Sequence, residues 1–206
     1  MYDEKIGEFL DRLADRVPAP GGGASAALQA AQGAALLGMV ARYTTGEKYS
    51  EQAETIDRII PEADELRSLA LRLAEADAEA FSAVSEAYRL PRSTDAEKKA
   101  RSAAIAQAVT NAAWPPAKLI GVAGMVVDLA EALAVIGNRN VISDVAAAAE
   151  AARSAAATAR VNVEINLAGI KDEQARREVM TDADQADSII ARAGQVTAAV
   201  REQIRA

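Results

Sequence analysis

Alanine dominates the apolar residues of this chain, and that bias restricts its fold more than any other feature. Alanine has the highest intrinsic helix propensity and loses no side-chain freedom on becoming helical. Apolar residues recur at three- and four-residue spacing, as in Ile6, Phe9, Leu10 and Leu13. No stretch shows the two-residue alternation of a strand. The expected fold is all-α: a bundle of about six helices, some of them long and proline-kinked. Small side chains let helices approach closely but bury little area each. With aromatic residues at only 3%, a partner subunit is expected to complete the buried surface, so the bundle is read as dimeric.

Proline and glycine punctuate the chain. An amphipathic helix over residues 3–16 stops at Val17-Pro18-Ala19-Pro20-Gly21-Gly22-Gly23. A small-residue helix follows from about Ala24 to Tyr43, with Gly33 and Gly38 implying close helix contacts. After the loop Thr44 to Tyr49, a long helical stretch reaches about Leu90 and is kinked or split at Pro61. Thr94 and Glu97 match a capping box for the next helix, which is expected to kink or break at Trp114-Pro115-Pro116 and to resume to about Ile136. Ser143-Asp144 reads as the cap of a helix from Val145 to about Ile170, and a final, largely solvated helix spans about 172–204. No internal repeat or linker divides the chain, so residues 1–206 are read as one domain.

The residue inventory excludes several chemistries. There is no cysteine and no histidine, which removes thiolate nucleophiles, disulfides, the Ser-His-Asp triad and the commonest metal ligands. No metal site is expected, and acid–base work falls to Asp, Glu, Lys or Tyr tuned by burial. A net charge of −7 opposes nucleic-acid binding, so an anionic ligand needs a local cation or a helix N-terminus. The start Met1 to Lys5 lacks the regions of a secretory signal, and no run reaches the roughly 18 apolar residues of a membrane span. A cytoplasmic protein without membrane contact is expected.

Several polar positions have both a functional and a plain reading. Gly21, Gly22 and Gly23 directly precede a helix, where free N–H groups and the dipole favour an anion or carbonyl; a simple turn is the plain alternative. Asn138, Asn140 and Asp144 can read a heterocycle edge, or serve turn and capping chemistry. Asp77 and Phe81 share one helix face with Leu73, which makes Asp77 either a partly buried, functional carboxylate or a solvated charge beside the apolar stripe. Asn162 and Asn166, one turn apart, face either a pocket or a partner helix. Lys48 and Lys118 are candidate cations for a carboxylate-bearing ligand, although most lone lysines are only solvated.

Taken in order, these blocks resemble the formiminotetrahydrofolate cyclodeaminase and methenyltetrahydrofolate cyclohydrolase family. The resemblance rests on Pro18 to Gly23 after the Phe9-Leu10 helix, Met39-Val40-Ala41, and Thr45-Gly46-Glu47-Lys48-Tyr49. It continues through Asp77 to Phe81, Gly137 to Asp144, and Asn162 to Leu167, spanning about residues 6–172. It implies an all-helical homodimer acting on 5,10-methenyl- or 5-formiminotetrahydrofolate, with a tetrahydrofolate derivative as substrate and no permanently bound cofactor. Some members carry a fused formiminotransferase domain, which this chain does not include. The expected reaction is therefore hydrolysis of 5,10-methenyltetrahydrofolate to 10-formyltetrahydrofolate. Cyclodeamination of 5-formiminotetrahydrofolate is the first alternative, and a non-catalytic folate-binding or structural helical protein the second.

The methenyl bridge is already electrophilic, so its hydrolysis needs a positioned water, a carboxylate and recognition of the pterin. On the family reading Asp144 and Asp77 take the two carboxylate roles and Asn138, Asn140 and Asn166 fix the ring edges, with Gly21, Ser25, Phe81 and Asn162 as further substrate-binding candidates. The Gly22 and Gly23 backbone, with Lys48 or Lys118, receives the glutamate tail. Family members usually carry serine directly after the three glycines. Here that position is Ala24 and the serine is Ser25, a shift of about 100° around a helix.

Overall fold

The computed structural model describes residues 4–206, so Met1 to Asp3, and with them the expected first residue of the first helix, lie outside the described residues. The described residues form seven α-helices and two short 3₁₀ turns. Helix α1 (Ile6–Ala14) buries Phe9 and leaves Ile6 and Leu10 exposed. Four long helices then form the bundle: α2 (Gly22–Tyr43), α3 (Ala53–Arg89), α4 (Asp95–Ile136) and α5 (Ile142–Leu167). Each packs on its two neighbours, α2 on α3 and α5, α4 on α3 and α5. Helix α7 (Ala186–Arg205) lies along α5 and α4, and α6 (Glu173–Asp184) rests on α4.

The alanine bias explains the packing. Ala24, Ala27, Ala30 and Ala34 of α2, with Ala148, Ala152, Ala155 and Ala159 of α5, are all essentially inaccessible to solvent. Gly33 brings the backbones closer still, since a Cβ there would stand 3.0 Å from the Ala148 carbonyl oxygen. Larger side chains such as Leu37, Ile59, Ile120 and Leu133 fill the centre. Helices α2 and α4 contain windows apolar and long enough for a membrane span, contrary to the sequence expectation that no run qualifies. Those windows are 61% and 56% buried within the bundle, which accounts for their apolar character.

Of the kink or break expected at each proline site, the break does not occur at either. Pro61 lies inside a continuous α3, and Pro115 and Pro116 lie buried inside a continuous α4. A proline cannot donate to the carbonyl four residues back, so Pro116 frees the Ala112 oxygen. Asn166 of α5 takes it up, its Nδ2 donating at 3.2 Å. A side chain on another helix thus replaces the missing hydrogen bond, and α4 stays whole. The Thr94 capping box forms as the sequence predicts: the Thr94 hydroxyl accepts from the Glu97 N–H, and Glu97 accepts from the Thr94 N–H.

Two further expectations are corrected. Helix α5 begins at Ile142, so Ser143 and Asp144 sit within its first turn and supply no cap hydrogen bond. The last helical segment is two helices, and α7 is not simply solvated. Ala186, Ile189, Ala193, Val196 and Val200 of α7 are buried against the bundle. Arg192 of α7 fastens this packing through Asp128 and Glu131 of α4, with Nε to Glu131 Oε1 at 2.9 Å. The same guanidinium holds Glu131 below the usual carboxylate range.

Candidate active site

Antiparallel packing brings the N-terminus of α2, the middle of α3 and the C-terminal part of α5 to one end of the bundle. A cavity of about 300 Å³ opens there, lined by Pro18, Ala19, the three glycines 21–23, Asp77, Phe81, Val84, Ala112, Asn162, Ile165 and Asn166. Among the described residues that line it, Asp77 is the one ionisable side chain. The carboxylate lies against the start of α2, and the Ala24 N–H donates to it. That N–H is one of the donors that a helix N-terminus leaves without an internal partner.

Burial pushes the Asp77 carboxyl above its ordinary value of 3.8, and the Ala24 N–H pulls in the opposite direction with the smaller effect. The site thus holds an acid that keeps its proton to higher pH than a solvated aspartate. Gly23 makes this placement sterically achievable, because a Cβ there would stand 2.2 Å from Asp77 Oδ1. Of the three glycines, Gly23 is buried and is the one whose missing side chain the site requires.

Both asparagines of the cavity are oriented by backbone carbonyls. Asn162 Nδ2 donates to Thr158 at 2.8 Å, and Asn166 Nδ2 donates to Asn162 at 2.9 Å as well as to Ala112. With the amide nitrogens held, the Oδ1 atoms are the acceptors left for a ligand. Phe81 is half exposed at the cavity rim.

The structure brings together Gly21, Gly22, Gly23, Asp77, Phe81, Asn162 and Asn166. It places the other candidates elsewhere within one chain. Ser25 is partly buried one position beyond the fully buried Ala24 and does not line the cavity. Lys118 is exposed on α4. Asn138, Asn140, Asp144 and Lys48 lie at the opposite end of the bundle. Asp144 and Asn162 are separated by about five turns of α5, about 27 Å along its axis.

At that opposite end Asn138 organises the chain. Its Nδ2 donates to the Tyr43 carbonyl at 2.7 Å, and its Oδ1 accepts from the Asn140 N–H at 3.0 Å. Its own N–H donates to the Thr44 hydroxyl at 3.0 Å, and that hydroxyl donates to the Val40 carbonyl. Thr44 is the buried polar residue of this end. Lys48 sits over the Tyr49 ring, 4.7 Å from its centroid. Asp144 is partly buried in the first turn of α5.

Pro18, Ala19, Val84, Ala112 and Ile165 line the cavity without having been candidate site residues, although Pro18, Ala19 and Ile165 lie in the motif blocks. Val84 and Ile165 carried a legible signal, since each falls three residues from a singled-out position on the same helix face. Ala112 had none, because it contributes through a carbonyl freed by a proline four residues on.

A helical bundle with a buried carboxylate, two oriented amides and a helix N-terminus in one cavity defines a class of small-molecule site that works without histidine or thiol. The chain belongs to the formiminotransferase-cyclodeaminase family, whose model matches residues 5–185. It is 37% identical to a methenyltetrahydrofolate cyclohydrolase of Methylorubrum extorquens over 98% of this chain and 97% of that one. It is 34% identical to the formimidoyltransferase-cyclodeaminase of Mus musculus over 84% of this chain, which corresponds to 32% of the mouse protein. Among solved structures, a formiminotetrahydrofolate cyclodeaminase of Thermotoga maritima superposes with a TM-score of 0.86 at 30% identity, covering 98% of both chains.

Proposed function

We propose that this chain is an enzyme of folate one-carbon metabolism that hydrolyses 5,10-methenyltetrahydrofolate to 10-formyltetrahydrofolate. The observation that carries this reading is Asp77, a carboxyl of raised proton affinity at a helix N-terminus inside a ligand-sized cavity. The relative matched over nearly its whole length supports hydrolysis, whereas the mouse relative extends well beyond the region matched here.

In this reading water adds to the methenyl carbon, and its proton passes to the Asp77 carboxylate. The neutral adduct then breaks its bond to N5, which takes up a proton, while the hydroxyl of the adduct loses its own to become the formyl carbonyl on N10. One proton is released per turnover. Asn162 and Asn166 accept from ring N–H groups through their Oδ1 atoms, and Phe81 covers a ring face. The substrate is a tetrahydrofolate derivative, no permanently bound cofactor takes part, and residues 1–206 act as one cytoplasmic domain without nucleic-acid or membrane contact.

The active form is a homodimer. Gln32, Ala35, Leu36 and Met39 form an open, uncharged groove on the outer face of α2, suited to pairing with its own copy. Antiparallel pairing about that groove sets the Asn138 and Asp144 end of one protomer beside the Asp77 cavity of its partner. In this arrangement Asp144, Asn138, Asn140 and Lys48 act on the ligand across the interface.

The test is loss of methenyl absorbance with the wild-type protein and with Asp77→Asn. Acceleration over buffer that vanishes in the variant is expected; a wild-type rate equal to buffer sinks the proposal. The structural likeness to a cyclodeaminase favours a second reading, release of ammonia from 5-formiminotetrahydrofolate. Assaying that substrate beside the first decides between the two.

A further inference from the structure

We propose that Arg101 receives a carboxylate of the ligand's glutamate tail, at the far end of an aromatic track that begins at Asp77; this assignment rests on the folate reading above. Asp77, Phe81, Val84 and Tyr88 follow one another at four-, three- and four-residue steps and so share one face of α3. The stripe leads away from the cavity along the part of α3 that runs beyond the start of α2. Phe81 is 50% exposed and Tyr88 56%. The whole chain has two phenylalanines, four tyrosines and one tryptophan, so two rings left half outside the core on one stripe need a reason.

Arg101, on α4, closes the track. Its Nε and Nη2 donate to the Tyr88 carbonyl at 3.3 and 3.0 Å, and its guanidinium carbon lies 5.6 Å from the Tyr88 ring centroid. That carbonyl belongs to the last turn of α3, where helix oxygens have no internal partner. The guanidinium is thus held in a fixed orientation, and among the described residues no carboxylate pairs with it. Nη1 remains free to donate. A planar, oriented cation of this kind matches a carboxylate better than a lysine does.

The spacing agrees. Asp77 and Tyr88 are eleven residues apart, about 16 Å along the helix. This is comparable with the reach from the pterin to the glutamate carboxylates of an extended folate. With the pterin beside Asp77, the aminobenzoyl ring passes Phe81 and Val84 and the tail arrives at Arg101. In a chain of net charge −7, such a fixed cation is what an anionic tail requires. Within one chain, Lys48 and Lys118, the cations expected from the sequence, lie away from this line.

Arg101 also caps α3, so the test must separate tail binding from a purely structural role. Affinity is measured by calorimetry for 5-formyltetrahydrofolate and for the matching tetrahydropteroyl methylamide, which lacks both glutamate carboxylates. Arg101→Met is expected to weaken the tailed ligand by about tenfold to a hundredfold. The methylamide should change by less than about twofold, because its contacts do not reach Arg101. Equal weakening of both ligands, or of neither, overturns the proposal. Should the methionine variant fail to fold, Arg101→Lys keeps the charge without the fork; selective weakening of the tailed ligand supports the assignment, and any other pattern overturns it. If the wild-type protein binds neither ligand, the folate reading itself falls, an outcome distinct from any result with the variants.

Discussion

Gly23 and Asp77 occupy the same space: the Asp77 carboxylate sits where a side chain on residue 23 would project, 2.2 Å from the position of its Cβ. Gly23→Ala must therefore push the carboxylate away from the Ala24 N–H. Alanine is the better helix former, so stability should change by no more than about 1 kcal/mol. Turnover should fall by about a hundredfold, since displacing a catalytic group by an ångström has that effect. Thermal melting beside methenyl hydrolysis checks both; an unchanged rate would show that Asp77 need not occupy this position.

The raised proton affinity of Asp77 has a signed consequence for stability. The folded protein holds this proton to higher pH than the unfolded chain, whose carboxyl titrates near 3.8. Between that value and the raised one the native state binds more protons, so its stability falls as pH rises through the window. Below the window the contribution is fully present. Asp77→Asn does not titrate, and its urea-melt stability should fall less steeply than the wild type's above about pH 4. Wild-type turnover should rise with pH through the same raised value, as a base must be ionised to act. Parallel stability curves for the two proteins would contradict the assignment.

Helical architecture was legible because alanine content and three- to four-residue spacing act locally. At Pro115-Pro116 the helix runs on unbroken for a non-local reason. Nothing within residues 111–116 indicates that Asn166, 54 positions beyond Ala112, will accept the role of the missing N–H. The final helix looked solvated for a similar reason: its alternating charges are obvious, whereas the small stripe of Ala186, Ala193 and Val200 is meaningful only against α5 and α4. At the site, Asp77 and Phe81 were readable from one helix face, and the glycine run from its place before α2. Arg101 was not, because its role depends on the geometry of the hairpin joining α3 and α4.

The Asn166 to Ala112 hydrogen bond also makes a quantitative prediction. Asn166→Leu leaves a half-buried carbonyl without a partner, at a cost of about 1–3 kcal/mol. In a Pro116→Ala background residue 116 regains its N–H and can satisfy Ala112 within α4. The same Asn166→Leu change should then cost about 1 kcal/mol less. Denaturant melts of the four proteins in this cycle measure the coupling. A coupling of zero would mean that Asn166 is retained only for the ligand.

Within one chain, Asp144 lies too far from Asp77 to touch the same ligand, about 27 Å along α5 from Asn162. If both carboxylates serve one reaction, they come from different protomers. Asp77→Asn and Asp144→Asn should each be inactive as homodimers while remaining folded. Mixing them with subunit exchange creates dimers in which one site pairs an intact Asp77 with the partner's intact Asp144. Random association leaves about a quarter of all sites complete, so about a quarter of wild-type activity should return. The readout is methenyl hydrolysis before and after exchange, with oligomeric state followed by light scattering. A fully active Asp144→Asn protein would remove Asp144 from the chemistry and leave it a first-turn acid at the N-terminus of α5. Two inactive variants that stay inactive after exchange would overturn the shared site instead, and would require Asp144 to act on its own protomer's fold.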